Sequence, residues 1–225
     1  MIYLPEHLLK EAITTPLAIV GTGGFARDTL CTLIDVLRWA GKTMADMDVV
    51  FTEPDIELKR RQLMGLQVVA QSEIDLGHRR ILVAINNPQV RQKVVGQLGP
   101  KAQYATLVHP NVVFSEFSSV GTGSIICPGT VITAHVCLGA HTQLNHITTI
   151  GHDSAAEDYL STAPGANISG NCALGQRVYI GSNAVVRQGL RITHDVLIGM
   201  AAVVTKDLNL HGVYIGNPAR WVREV

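Results

Sequence analysis

The chain has 225 residues, is 47% apolar, and sets 18 basic side chains against 18 acidic ones. That length builds one large core or two modest ones. A zero net charge with Lys and Arg dispersed excludes the electrostatic footprint of a nucleic-acid or anionic-membrane partner.

Four cysteines, Cys31, Cys127, Cys137 and Cys172, show no CxxC spacing; they read as reduced, buried small hydrophobes, and no metal site is expected. No apolar run approaches the roughly twenty residues of a membrane span, and residues 1–10 carry Glu6 and Lys10, unlike a secretory leader, so a cytoplasmic enzyme is expected.

Taken in order, Pro5 and Pro16 bracket a short helical stretch without functional signal. Leu17–Val20 reads as a buried parallel strand running into Gly21, Thr22, Gly23, Gly24, Phe25 and Ala26, and an amphipathic run follows from 27 to about 40. Strand, glycine turn and helix in that order are the setting in which bare amides and the positive helix end face a phosphate. Such glycines also serve packing alone in many α/β turns.

Further strands are expected at 48–52, 66–70, 80–85 and 104–108, with a helix from Pro88 to about Leu98, an abbreviated doubly wound unit. The second strand runs into Glu53, where such folds grip a ribose. The fourth leads to Asn86, Asn87 and Arg91, amides and a guanidinium on the same carboxyl edge. The bland alternative is helix capping by Asn86 or Asn87 and a solvated Arg91.

From Val108 to Val204 every sixth residue is apolar except Thr162. At the chain's composition such a run arises by chance less than about once in a thousand, so the period is real. A strict six across Gly-rich, β-branched sequence is neither a helix nor a simple alternation; it describes a β-solenoid of hexapeptide rungs, three to a coil. Glycine recurs just after the apolar residue, at Gly121, Gly139, Gly151, Gly175, Gly181 and Gly199, which is expected where corner backbone adopts conformations that a side chain obstructs. Outward residues include Val113, Ile125, Val131, Ile147, Val185, Leu197 and Val203, more apolar surface than a monomer leaves in water.

Nine histidines compete for chemistry. His146, His152 and His194 share the third hexad position, on the rim, where a solvent-facing corner histidine is always an alternative. His152 stands out because Asp153 follows it and Gly170 lies one coil above. A neighbouring carboxylate fixes an imidazole tautomer.

The motif [LIV]-G-x-x-[STAV]-x, as in Leu138-Gly-Ala-His-Thr-Gln, resembles the hexapeptide acyltransferases. Joined to the turn at 21–24, to Ala84-Ile-Asn86-Asn87 with Arg91, to the entry Val108-His-Pro, to Asn145 through Asp153, and to the exit Gly216-Asn-Pro-Ala-Arg220, it makes the chain from Leu17 onward similar to one family. That family is the bacterial sugar acetyltransferases, which include sialic acid O-acetyltransferase-like proteins and bacillosamine-type nucleotide-sugar N-acetyltransferases. The resemblance implies a Rossmann-like nucleotide-sugar-binding domain over 1–107 and a left-handed parallel β-helix acetyltransferase domain over 108–225, assembled as a homotrimer.

It further implies transfer from acetyl-CoA to the amino group of a nucleotide-linked amino sugar, with O-acetylation of a free sugar such as a sialic acid as the alternative. The family motif carries the base to His152, with Asn145 and Asp153 beside it, and a backbone amide for the acetyl carbonyl to Gly170. CoA contacts fall on Ser161, Ser182 and Met200; Lys206, two coils above Gly170, is either in reach of a phosphate or only a solvated corner lysine. Substrate contacts fall on Gly23, Gly24 and Phe25, with Glu53, Asn86 and Arg91 nearby. Ser161 stands where many relatives carry a second histidine, and Phe25 replaces a polar residue, so that an aromatic ring is expected to stack on the base.

Overall fold

The computed structural model describes residues 16–54 and 62–224. The stretch around Pro5 lies outside the described residues. The N-terminal unit is a six-stranded sheet in the order β3-β4-β2-β1-β5-β6, made of β1 (Leu17–Val20), β2 (Val49–Glu53), β3 (Gln62–Leu63), β4 (Leu66–Ala70), β5 (Arg80–Val83) and β6 (Gln103–Tyr104). All pairs are parallel except the β3–β4 hairpin, which the sequence reading missed. β1 is buried along its whole length, as a central parallel strand covered on both faces must be.

Among the described residues two α-helices flank the sheet. α1 (Gly24–Trp39) buries Ala26, Leu30, Leu33 and Leu37 at helical spacing against the sheet and the solenoid, while α2 (Pro88–Leu98) is capped by Asn87, whose side chain accepts from the Val90 amide at 3.0 Å. The expected strand over 104–108 is in fact divided. Gln103–Tyr104 ends the first sheet, and Leu107–Val108 begins the solenoid, with Ala105 and Thr106 buried between them.

The solenoid is a left-handed parallel β-helix with three faces. The first face stacks Leu107–Val108, Ile125–Ile126, Gln143–Leu144, Ser161–Thr162, Tyr179–Ile180 and Val196–Ile198; the second begins at Val113–Phe114 and the third at Ser119–Val120. Register advances by one coil from each residue to its partner, as in Ile126 to Leu144, so each inward side chain lies on its counterpart about 4.8 Å away. Thr162, the polar exception, is fully buried and satisfied: its hydroxyl accepts from the Asn145 amide at 3.0 Å and pairs with Thr148 at 2.8 Å.

The recurrent glycines have another cause than the one expected. Left-handed backbone falls two residues later, on His141, Asp153, Tyr159, Arg177 and Asp195 among others, with φ from 55° to 64°. The glycine itself is needed for space: a Cβ on Gly151 would stand 2.3 Å from the Gly170 nitrogen, and one on Gly139 2.6 Å from that of Asp158.

The N-terminal unit docks on the first face. Leu107, Ile125, Gln143 and Ser161 are fully buried there, so Ile125 is not the free outward residue that the period suggested. Val113, Val131, Val185 and Val203 remain on the second face, with Val113 half exposed. The cysteines divide as well. Cys127 and Cys172 are buried, burial pushing the Cys127 thiol up to about 12, whereas Cys31 and Cys137 are exposed.

Candidate active site

His152 stands on the edge between the second and third faces, two residues beyond inward Ile150. Its Nδ1–H donates to Asp153 Oδ2 at 2.7 Å, which leaves the Nε2 lone pair on a ring that is 58% exposed. Directly above, Gly170 makes room: a Cβ there would lie 2.8 Å from Nε2. The Gly170 amide bonds to no backbone carbonyl among the described residues, so a base and a free N–H donor share one spot on the rim. That is the minimum for acyl transfer: a lone pair to take a proton and a donor for the oxyanion.

Asn145 is elsewhere. It lies on the edge between the first and second faces, where its Oδ1 accepts from the His146 backbone amide at 2.8 Å and from His146 Nδ1 at 2.6 Å. Within one chain it does not meet His152. Ser182 and Met200 share the Asn145 edge, Ser182 half-buried and Met200 79% exposed. Lys206 stands exposed on the His152 edge.

Ser161 and Arg91 were expected to face ligands and face each other instead. Arg91 is fully buried and donates from Nη2 to Ser161 Oγ at 2.8 Å. Its remaining donors go to the carbonyls of Ile85, His141, Tyr159 and Leu160 and to Gln143 Oε1, at 2.6 to 3.2 Å. No donor is left for a phosphate. Burial holds this guanidinium down at about 9, and carbonyl dipoles, not a carboxylate, balance its charge. It pins the N-terminal unit to the third–first edge. His141, beside it, is pushed down to about 4 by burial and by the Arg91 charge.

The glycine turn has the expected form. Gly23 caps α1 without a side-chain bond, and a Cβ at Gly23 or Gly24 would meet nothing within 4 Å, so the amides of this helix start lie open. Thr22 Oγ1 donates to Glu53 Oε1, bringing the acid beside the turn. Phe25 is half-buried and packs into the core, so its ring is not a free platform for a base. Asn86 lies at the end of β5 with its Oδ1 buried and unpartnered.

A second His–Asp pair went unremarked in the sequence. His194 Nδ1–H donates to Asp195 Oδ2 at 2.8 Å, with the ring 57% exposed. It stands on the edge between the third and first faces, where Arg177 grips Asp195 through both carboxylate oxygens at 2.7 and 2.6 Å and Gln89 adds a contact at 3.3 Å. The dipeptide is legible in the sequence; its guanidinium partner, eighteen residues earlier, becomes a neighbour only through the winding of the coil. Among the described residues no group of three or more His, Cys, Asp or Glu side chains is placed to hold a metal, and no helix is long and apolar enough to cross a membrane.

A parallel β-helix of hexapeptide rungs with a His–Asp pair under a rim glycine, docked to an α/β unit with an open helix start, defines a hexapeptide-repeat acyltransferase. No family model matches the chain. It is 31% identical over 176 residues to GDP-perosamine N-acetyltransferase of Escherichia coli O157:H7, covering 76% of this chain and 78% of that one. WeeI from Acinetobacter baumannii AYE superposes with a TM-score of 0.82 at 28% identity, over 92% of this chain and 99% of its own. PerB from Caulobacter crescentus, solved with CoA and GDP-perosamine, superposes with a TM-score of 0.77 at 25% identity, over 92% and 96%. The chain therefore belongs to the hexapeptide-repeat family of bacterial nucleotide-sugar acetyltransferases that includes GDP-perosamine N-acetyltransferase.

Proposed function

We propose that the protein transfers the acetyl group of acetyl-CoA to the amino group of a nucleotide-linked amino sugar in the cytoplasm, with His152 as general base. The observation that carries this reading is the His152–Asp153 pair lying directly below Gly170. The amine nitrogen attacks the thioester carbon, His152 Nε2 takes the proton released, and the Gly170 amide donates to the oxyanion. Collapse expels the CoA thiolate, which takes a proton, and leaves an acetamide. Asp153 steadies the imidazolium formed on the way.

Residues 1–107 hold the nucleotide in this reading and 108–225 perform the transfer. The diphosphate lies at the open amides of Gly23 and Gly24, with Glu53 toward the ribose.

A homotrimer completes the site. The N-terminal unit covers the first face, and His152 stands on the edge opposite that face, so the nucleotide turn and the base are paired most directly when they come from different chains. The exposed valine ladder on the second face is apolar surface that such packing buries.

The test is turnover with acetyl-CoA and a panel of UDP-, GDP- and dTDP-linked amino sugars, with CoA release read by thiol titration. Release with one class of nucleotide amino sugar supports the reading. Release with free sialic acid and with none of the panel would sink it in favour of O-acetylation.

A further inference from the structure

We propose that the acceptor amine is held between two imidazoles from different chains: it yields one hydrogen to His152, and its other N–H donates to Nε2 of His146 of the partner subunit. The inference rests on the N-acetyltransferase reading above and deepens it. It names the contact that sets an amine apart from a hydroxyl.

The first support is how His146 is held. Its backbone amide donates to Asn145 Oδ1 at 2.8 Å, which fixes that atom as the amide oxygen, and the ring Nδ1 lies 2.6 Å from the same oxygen. An oxygen acceptor requires the proton on Nδ1, so Nε2 carries a lone pair, as it does on His152. Nε2 has no hydrogen-bond partner among the described residues.

The second support is where the two rings stand. Both occupy the third position of a rung, two residues beyond inward Leu144 and Ile150, at the two edges of the second face in one coil. They differ in height by a third of a coil, about 1.6 Å of the roughly 4.8 Å between stacked strands. From 108 to 204 the exposed large apolar side chains are Val113, Phe117, Ile147, Val185 and Met200, all on the second face or its two edges. Copies that pack there around an axis parallel to the solenoid keep equal heights, because such a rotation moves nothing along the axis. The His146 edge of one chain then meets the His152 edge of the next at the same level. The chain that supplies His146 also brings its nucleotide turn, since α1, which starts at that turn, docks on the His146 edge, with Asp35 Oδ2 3.4 Å from His109 Nε2.

The chemistry follows from counting hydrogens. An amine attacks through its lone pair with two N–H bonds to spare, and two imidazole lone pairs face it. One N–H breaks, its proton passing to His152 Nε2 and then to the departing thiolate. The other survives as the N–H of the acetamide and donates to His146 of the partner subunit throughout. A hydroxyl has one hydrogen, so one of the two lone pairs goes unanswered.

Steady-state kinetics of the full chain tests this with a nucleotide amino sugar that wild type acetylates, and with its counterpart bearing a hydroxyl in place of the amine as competitive inhibitor. His146→Phe keeps a ring and loses the lone pair; His146→Ala takes its place should that variant fail to fold. The change is expected to raise KM for the amine about tenfold, with kcat within a few-fold and with KM for acetyl-CoA and the inhibition constant of the hydroxyl counterpart unchanged. His146→Gln, whose Oε1 reaches about as far as Nε2, should recover most of the loss. Assemblies co-expressed from His146→Phe and His152→Ala chains should regain a low-KM component, because only a site shared between chains joins an intact His152 to an intact His146. An unchanged KM, an equal loss for amine and hydroxyl, or mixed assemblies without the low-KM component overturns the assignment. Wild type that acetylates no amino sugar of the panel overturns the N-acetyltransferase reading instead, so the two failures are told apart.

Discussion

His152–Asp153 and His194–Asp195 are almost the same object placed twice on one solenoid. The Nδ1 to carboxylate distances are 2.7 and 2.8 Å and the rings are 58% and 57% exposed. Their surroundings differ. Asp153 has no Lys or Arg bonded to it among the described residues, and Gly170 leaves the face of His152 open; Asp195 is clamped by Arg177 in a bidentate pair that holds its carboxyl far below the ordinary range. A carboxylate already neutralised by a guanidinium supports a nascent imidazolium less than a free one does. The first pair therefore has the surroundings that the proposed proton transfer asks for. The second is built to hold the third–first edge to α2 through Gln89.

The largest expected effect breaks the symmetry outright. His152→Ala is expected to lower kcat by about 10² to 10⁴ with CoA affinity nearly intact, since general base catalysis acts in the transition state. His194→Ala and His146→Ala should each stay within a few-fold, and steady-state kinetics on the three variants checks the ordering. If His194→Ala or His146→Ala proves the more damaging, the base has been misassigned.

Next in size is Gly170→Ala. The three atoms nearest to the added methyl all belong to the exposed His152 ring, so the fold should keep its melting temperature while kcat falls about tenfold as the ring swings aside. A variant that unfolds instead would mean that Gly170 serves the coil stack.

The two aspartates should then trade roles. Asp153→Asn is expected to cost activity and almost no stability, whereas Asp195→Asn should lose about 1–3 kcal/mol of unfolding free energy by breaking charge-assisted bonds and keep most of kcat. Urea titration and initial rates on the same preparations separate the two.

Gly23→Val sharpens the contrast between the nucleotide turn and the base. The protein leaves space for the new side chain, so folding should be unaffected, but a branched side chain over the open amides should abolish thermal protection by a nucleoside diphosphate. Protection that survives in the variant would place the nucleotide away from the turn.

The smallest effect concerns a third kind of histidine, one with no carboxylate bonded to it. His141 is buried, pushed down to about 4 from an ordinary 6.5, with its Nδ1 unpartnered. Between those values the unfolded chain takes up a proton that the folded one refuses, so stability should fall as pH drops from about 6.5 toward 4 and level off below. The melting temperature of wild type should drop over that range, and His141→Gln should show a shallower drop; equal slopes would remove His141 as the cause.

Periodicity in the sequence was sufficient for the solenoid, because each rung repeats one local requirement, an inward branched side chain every six residues, whatever else the chain does. The same local logic reached the glycine turn, α1, and the His152–Asp153 adjacency with Gly170 one coil above. It did not reach the fate of Arg91 and Ser161. They lie seventy residues apart, and only docking of the N-terminal unit on the first face turns an expected substrate contact into a buried clamp on carbonyl oxygens.

Nor did local logic separate the two His–Asp pairs. Asp195 differs from Asp153 through a cation one coil away, and side chains a full coil apart in sequence become neighbours only once the chain has wound upon itself. The sequence by itself determined the repeat and the candidate chemistry. Tertiary structure decided which charges are spent on holding the fold and which stay free to act, because burial and pairing depend on what the fold brings across from distant parts of the chain.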